Sequence, residues 1–411
     1  MATPFSWTLF RNYLKIQYPD GPELLLYKAS PFVGWMEKDT DFEGDSYQVN
    51  PLVNGIRSSN DFATALDERN TPSTPRFNVT VADMFSIGTI ANKAIAACRS
   101  SKGGIKKAVT AMVDAGYYGF GRNLAYQVWG SGSGSIGRDN AAWVTPATSI
   151  TLLTPEDACK FEVGMRLQSS ATDGTGVVKP GFIEVASISR QTGVVTFTAS
   201  PDVGIPTFAL SDFLFPAGNY ANALTGVLAW VPPVLLAAPF YGVVRTADAD
   251  RLGGIRFTGA GPIEEQVIDA EALGVTAGGQ FDTLWMHPKR ISALKKNIHG
   301  KAFYMTEPKT SVSGKKMNGD TAKIAYQGFV FAGDYGPITV MSDLTMPYAY
   351  GLLTKRGTWK LISMKELPHF DVQAGDKFLT EAAQDGKQFR LIGYPQVVCE
   401  RPLDNVLITW A

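Results

Sequence analysis

GGIKKAVTAMVDAGYYGFGRNLAYQVW, residues 103–129, runs into the glycine-serine tail Gly130 to Gly137. Within it Ile105, Val109, Met112, Val113, Tyr117, Phe120, Leu124 and Val128 recur three and four residues apart, which predicts one amphipathic helix. At ~1.5 Å per residue that helix is roughly 40 Å long, far above the usual three turns. The interior glycines Gly116, Gly119 and Gly121 lower helix propensity, so curvature or a close contact is expected where they fall. A helix of this length serves a chain as its spine.

Working outward, the 411 residues are 45% hydrophobic, enough for a large core and, by length, two or three compact units. No apolar run reaches the ~18 residues of a membrane span, and no secretory pattern follows Met1. Lys+Arg and Asp+Glu balance at 38 each, so net charge points neither to nucleic-acid wrapping nor to an acidic shell. The balance conceals two segments of opposite sign. Glu37, Asp39, Asp41, Glu43 and Asp45 stand against Lys38, and nine Lys/Arg between Lys289 and Lys323 stand against Glu307 and Asp320. Two solvated faces and complementary surfaces between copies both fit that pattern. Cys98, Cys159 and Cys399 are odd in number and far apart, the usage of reduced thiols serving as small apolar residues.

Before the spine, residues 1 to about 33 carry Phe5, Trp7, Phe10, Tyr13 and the run Leu24 to Tyr27, interrupted by Pro4, Pro19, Pro22 and Pro31. Proline forbids a long helix there while the aromatics favour burial, so an extended arm lying on another surface is expected. Residues 35–83 predict a two-stranded loop. Ser46 to Val53 ends at the turn signal Asn54-Gly55, Arg76 to Val81 alternates with period two, and the polar stretch Arg57 to Thr74 forms a mobile tip. Two strands alone are marginal in water, so the ribbon needs a partner surface. Met84 to Arg99 is apolar and leads into the spine.

After the tail the character changes. Short strands at Ile150 to Leu152, Met165 to Leu167, Phe182 to Ile188 and Val194 to Thr198, with turns at Asp173-Gly174 and Thr192-Gly193, predict an independent β unit over residues 148–218. The tail Gly130 to Gly137 and Pro216-Ala217-Gly218 are its expected hinges. From Thr225, helical and strand signals alternate: a buried strand over Gln280 to Met286, a helix opened by Pro288 and running through Lys296, and strands at Phe329 to Phe331 and Ile338 to Met341. Residues 350–411 are mainly β, with Gly351 to Met364 and Phe389 to Val398 expected as a hairpin and Val406 to Trp410 closing a sheet.

Motifs for chemistry are weak. Gly132-Ser133-Gly134-Ser135-Ile136-Gly137 matches G-x-G-x-x-G but follows a helix instead of a strand, so a flexible linker is expected. Asp39 to Asp45 begins like a calcium loop, yet its twelfth position is Asn50 and no helix flanks it. His287, His299 and His369 show no metal-binding spacing, and His287 before Pro288 fits a helix cap. No P-loop or nucleophile elbow is present. The sequence therefore points to no enzyme, cofactor or metal.

An aromatic arm, a two-stranded extended loop, a long helix with a glycine-rich tail, and Leu224 to Leu228 entering a mixed domain resemble a tailed-bacteriophage major capsid protein of the Hong Kong 97 type. Trp285 to Leu294 is similar to that family's strand-proline-helix segment, and Gly328 to Phe331 through Ser342 to Pro347 to its later strand and loop. The resemblance implies an α+β fold: N-terminal arm 1–34, extended loop 35–80, peripheral domain with the spine helix 81–147, inserted β domain 148–218, axial α/β domain 219–345, and a peripheral-domain β hairpin with a C-terminal axial strand 346–411. It implies a coat protein assembling into pentamers and hexamers of an icosahedral head around double-stranded DNA, formed in the host bacterial cytoplasm and found in the virion. Implied partners are further copies of the chain, a portal, a cement or decoration protein and DNA contacted non-specifically, with no membrane. Because the arm begins almost at Met1, a separate scaffolding protein is expected. Residues 46–80 contain no lysine, so the covalent crosslink that some members make near the loop tip is not expected.

That family's loop lies across a neighbour's peripheral domain. The candidate inter-subunit contacts are therefore Glu37, Asp39, Asp41, Glu43 and Asp45 at the base of the loop, facing Lys102, Lys106, Lys107 and Arg122 on the spine. The alternative function is a surface carbohydrate- or cell-binding protein using the β insertion, with Phe182, Phe197 and Phe208 as contacts or as core.

Overall fold

The computed structural model describes residues 30–40, 42–91, 105–301, 329–372, 377–380 and 385–410. Expectations for the aromatic arm at residues 1–29 and for Cys98 lie outside the described residues. In chain order the strands are β1 Glu37–Asp39, β2 Tyr47–Val49, β3 Phe77–Val79, β4 Met84–Ala91, β5 Gly137–Arg138, β6 Ser149–Thr151, β7 Arg166–Ser170, β8 Ile183–Ser189, β9 Val194–Phe197, β10 Phe213–Pro216, β11 Ile255–Gly259, β12 Thr283–Met286, β13 Phe329–Gly333, β14 Gly336–Ser342, β15 Tyr350–Thr354, β16 Trp359–Ser363, β17 His369–Phe370, β18 Leu379–Thr380, β19 Gly386–Gly393, β20 Pro395–Cys399 and β21 Asn405–Trp410. The helices used below are α1 Pro31–Trp35, α2 Phe62–Asp67, α3 Ile105–Val128, α4 Ile263–Thr276 and α5 Pro288–Lys301.

The spine α3 is one helix of 24 residues, about 36 Å long. Of its glycines, Gly116 has the expected close contact. A Cβ there would come within 3.0 Å of the Phe389 ring and 3.2 Å of Leu391, whereas Gly119 and Gly121 face open space. The spine lies on the four-stranded sheet of β4, β17, β18 and β19. β19 pairs along its whole length with β4, so it does not form the hairpin expected with residues 351–364. Only the second half of that segment, β16, pairs with β20 (Trp359↔Cys399 to Ser363↔Pro395). Its first half, β15, joins a six-stranded sheet ordered β11-β21-β15-β12-β14-β13. Local alternation specifies a strand, but cross-chain packing selects its partner.

That six-stranded sheet packs its apolar side on α4 and α5, burying Val267, Ala270, Leu294, Ile338, Leu353 and Ile408. A second core gathers the spine (Phe120, Leu124, Val128), the ribbon root (Val49, Val53, Phe77, Val79) and the three-stranded sheet β1-β16-β20 (Trp359, Leu361, Val397). The ribbon root therefore finds its partner surface within its own chain: Phe77 packs on Trp230 with ring centroids 5.4 Å apart, and Asn78 N–H donates to Tyr241 O at 3.2 Å. β2 and β3 end at the Asn54↔Ser73 bridge, and no residue from 54 to 76 is buried. The tip holds one feature the sequence reading missed, the helix α2. Asp61 caps it, accepting from Thr64 N–H at 3.0 Å and Thr64 Oγ1 at 2.8 Å, a D-x-x-T start signal that was legible.

The arm's last residues also differ from expectation. Pro31 opens the short helix α1, where its fixed φ and missing N–H suit the first turn. Phe32 of that helix is fully buried. Ser30 Oγ and Phe32 N–H donate to Asp343 Oδ2, while Thr345 N–H and Oγ1 donate to Asp343 Oδ1 at 2.8 and 2.6 Å. A single buried carboxylate thus takes four donors and ties the root of the arm to the loop after β14.

The β insertion is a sheet ordered β5-β10-β7-β8-β9-β6, and it includes Gly137 and Arg138, upstream of the expected start at 148. The end strands meet through the Asp139↔Leu152 bridge, Asn140 N–H to Thr151 O (3.0 Å) and Leu153 N–H to Arg138 O (2.8 Å). The sheet is therefore closed into a small barrel without a free edge, filled by Ile150, Leu152, Phe161, Leu167, Val195 and Leu214. Phe197 and Phe208 are in or against that core, and Phe182 is 43% exposed under the Arg166 guanidinium.

Candidate inter-subunit surfaces

The acidic turn forms at the base of the ribbon because β1 runs parallel to β16, with Glu37 opposite Lys360 and Asp39 opposite Ile362. Glu37, Glu43 and Asp45 are exposed and Asp39 is half-buried. Asp41 lies outside the described residues. Lys360 is already engaged, 2.6 Å from Glu400.

On the spine, Lys106 and Lys107 fall in the first turn of α3, with side chains outside the described set, as is Lys102. Arg122 is corrected. It is buried at 7% exposure, its Nη2 donating to Cys159 O at 2.7 Å and Phe161 O at 3.3 Å, and its Nε to Tyr126 Oη at 3.1 Å. It also pairs with Glu162, and Tyr126 Oη donates to Cys159 O at 2.7 Å. Two barrel carbonyls need donors and a planar guanidinium supplies them in fixed geometry. Arg122 therefore clamps the barrel to the spine and is not on offer to a neighbour. Periodicity placed it on the helix but not its direction.

The second basic segment is partly spent in the same way. Lys289 Nζ lies 2.8 Å from Glu156 of the barrel. Burial works against the Glu156 carboxylate, but the hydrogen bond and charge of Lys289 outweigh it and hold that carboxyl below its ordinary value. Arg290 stacks over Tyr348 at 4.1 Å. His287 caps α5 as expected, with Nδ1 accepting from Lys289 N–H at 3.3 Å and its carbonyl from Arg290 N–H at 2.9 Å. Residues 302–323 lie outside the described residues.

The glycine-serine tail is not a flexible linker. Ser133 is buried and its carbonyl accepts from Ala221 N–H at 3.0 Å. Gly134 has φ +84, and a Cβ there would lie 2.2 Å from Asn219 O, so glycine is required by both conformation and space. The two ends of the barrel pass side by side, and the glycines permit that close crossing. Cys159 and Cys399 are buried free thiols, and burial raises both above the ordinary thiol value. Among the described residues no group of His, Cys, Asp and Glu is placed to hold a metal, and no helix is long and apolar enough to cross a membrane.

Sequence reasoning missed two exposed apolar groups. Phe62 (81% exposed) and Leu66 (47%) lie one turn apart on α2. Phe85 (58%) and Ile87 (60%) stand on the outer side of the four-stranded sheet. The alternation of β4 was the available signal, since strands covered on one face leave the other uncovered.

A spine helix on one sheet, a six-stranded mixed sheet with two helices, and a ribbon projecting from the junction define a class: this is the α+β Hong Kong 97-type capsid fold, carrying a closed β-barrel as an insertion. No protein-family model matches the sequence, and no curated protein does. Among solved structures the chain is similar to the subunit in the cyanophage A-1(L) capsid asymmetric unit, at 11% identity and a TM-score of 0.57 over 98% of this chain and 98% of that one. It also aligns with the capsid of a native GTA particle (11% identity, TM-score 0.47, 96% and 95% covered) and with the holo-SrpI encapsulin of Synechococcus elongatus PCC 7942 (8% identity, TM-score 0.45, 97% and 93% covered).

Proposed function

We propose that this chain is the major capsid protein of a tailed phage, assembling through pentamers and hexamers into the icosahedral shell around a double-stranded DNA genome. The observation that carries the reading is the end-to-end overlay on a cyanophage capsid subunit. Its role is structural, and its location is the virion after assembly in the host bacterial cytoplasm. Its partners are copies of itself, a scaffolding protein, a portal and DNA contacted through the backbone without sequence preference, with a cement protein as a further candidate. The spine and its four-stranded sheet act as the peripheral domain and the six-stranded sheet with α4 and α5 as the axial domain. Electron microscopy of purified protein is expected to show capsomers, tubes or closed particles. A monodisperse monomer at every salt and protein concentration would overturn the reading.

Within a shell the ribbon splits at Asn54↔Ser73. The root is already buried in the free subunit, so amides such as Val53 and Asn78, bonded to Ser73 O and Tyr241 O, are expected to exchange slowly before and after assembly. Amides of residues 57–70 are expected to slow only in the shell. Equal exchange of the tip in free and assembled protein sinks this reading of the loop.

The acidic turn remains a proposed contact with the start of a neighbour's spine. Exposed pairs are worth only about 0–1 kcal/mol each, so single changes are expected to be silent, whereas an assembly repeats the pairing at every subunit. Reversing Asp39, Asp41 and Glu43 together to lysine is expected to slow assembly with no change in subunit melting, and Lys106→Glu with Lys107→Glu to restore part of it. Normal assembly of the triple reversal at low salt, where screening is weakest, reduces the turn to a solvated face.

A further inference from the structure

His287 is a titratable group buried where the barrel meets the six-stranded sheet, 4% exposed. Its Nδ1 accepts from Lys289 N–H at the start of α5, which an imidazole does only while that nitrogen is unprotonated. Burial, Lys289 and the barrel's Lys160 disfavour a charge on the ring and outweigh Glu156 and Asp157, so His287 is held below its ordinary value. The N-terminus of α5, a helix of 14 residues, adds the positive end of its macrodipole. On the body's side Tyr348 stands edge-on to the imidazole at 5.7 Å, and Arg290 lies over the Tyr348 ring at 4.1 Å. Asp343 donates its N–H to Met286 O, and its carboxylate is taken up by Ser30, Phe32 and Thr345. The barrel's share of the junction is the 3-10 helix Pro155–Lys160. It carries Glu156, which pairs with Lys289, and Cys159, whose Sγ lies 3.9 Å from Leu344 O. Beside it is a cleft of about 380 Å³, lined by Asp157 and Lys160 from the barrel and by Pro347 and Tyr348 from the body.

We propose that His287 is a pH-sensitive latch on the barrel: its protonation uncaps α5, sets it in competition with Lys289 for Glu156, and lets the barrel swing about the Arg122 clamp. An imidazolium presents an N–H to the Lys289 N–H that it accepted from when neutral, so the first turn of α5 has to shift. That turn carries the ammonium that holds Glu156, and the capping loss and the ion-pair loss therefore occur together. Glu156 is itself held below its ordinary value, so it is still an anion when His287 gains its proton. The Arg122 guanidinium stays charged throughout, and its bonds to Cys159 O and Phe161 O remain as the pivot. Because the folded-state value of His287 lies below the unfolded one, the latch contributes fully above about pH 6.5 and is lost as pH falls through the folded value. It acts within a single subunit and does not rest on the shell reading.

The test uses the full chain as free subunit and two buried thiols, Cys159 at the junction and Cys399 in β20. Both are labelled with 4,4′-dithiodipyridine, which reacts with thiols in mild acid, and the labelled peptides are quantified by mass spectrometry. The reference is His287→Asn, which keeps a good capping acceptor and removes the titrating ring. At pH 7.5 the parent and the variant are expected to label Cys159 at the same rate. At pH 5.5 the parent is expected to label it about threefold faster or more, with Cys399 unchanged in both. Equal Cys159 rates at pH 5.5, or Cys399 rising in step with Cys159, overturn the latch. A second measurement needs no variant. The chain has three histidines, and the ring resonance of His287 is expected to titrate below pH 6.5 with the same midpoint as Cys159 labelling in the parent. Titration at or above pH 6.5, or a midpoint unrelated to the labelling, overturns the proposal even where His287→Asn fails to fold.

Discussion

Truncating Phe32 to alanine is expected to destabilise the subunit by about 3–5 kcal/mol, the range for a buried aromatic whose cavity cannot collapse. The ring is fully buried among four indoles from four parts of the chain. Its centroid lies 5.7 Å from Trp35 in α1, 4.3 Å from Trp129 at the end of the spine, 5.2 Å from Trp285 in β12 and 6.2 Å from Trp359 in β16. Each of these is anchored in a different sheet or helix, so no one of them can move into the void without disturbing its own element. Urea unfolding followed by tryptophan fluorescence measures the effect where it arises. Phe32→Leu, which keeps most of the volume, is expected to recover at least half of the loss. A shift worth less than about 1 kcal/mol for Phe32→Ala would mean that Phe32 is not the keystone its contacts describe. Phe62→Ala, by contrast, removes an exposed ring and is expected to stay within about 0.5 kcal/mol of the parent.

Removing the barrel is expected to succeed or fail according to where the cuts fall. Deleting residues 148–218 leaves Ile136 and β5 without the strand that pairs them, since Gly137 and Arg138 pair with Leu214 and Phe213 and Ile136 N–H donates to Leu214 O. It also removes Gly218 beside the crossing. That deletion is expected to give insoluble subunit. Deleting 136–217 and joining Ser135 to Gly218 takes the whole closed unit, and the ends are already adjacent because Gly134 approaches Asn219 and Ser133 O holds Ala221 N–H. That version is expected to be soluble although it loses the Arg122 and Tyr126 bonds to Cys159 and Phe161, the ion pairs of Arg122 with Glu162 and Lys289 with Glu156, and the Cys159 contact to Leu344 O, and residues 136–217 alone are expected to fold around their own core. Solubility and circular dichroism of the three products decide the matter. Equal behaviour of the two deletions would show that barrel closure does not govern the insertion.

Single-residue access to these surfaces was uneven. The candidates Glu37, Glu43 and Asp45 fall on an exposed turn, as their charge implied, because ionised carboxylates stay in water unless paired. Arg122 lies on the expected helix but faces the barrel and not a neighbouring copy, because its neighbours in sequence do not show that the barrel offers two carbonyls thirty-seven and thirty-nine residues on. The apolar tip pair was hidden in a stretch that looked polar, and only the Asp61 cap, once recognised, makes a helix that aligns Phe62 with Leu66.

The sequence by itself determined the elements whose hydrogen bonds close locally. The spine followed from a three-and-four spacing, α5 from Pro288 at its head, and β8 with β9 from alternation broken at Thr192-Gly193, because helix and hairpin bonds link residues near in the chain. Their order was enough to recognise the Hong Kong 97-type fold. What only the tertiary structure decided were the pairings between segments hundreds of residues apart and the closure of the barrel. β1 runs beside β16, β4 lies along β19, Asp343 holds Ser30 and the barrel closes at Asp139 and Leu152. In these the local pattern permits many partners, and the choice falls to the arrangement that satisfies buried polar groups and fills the core at once.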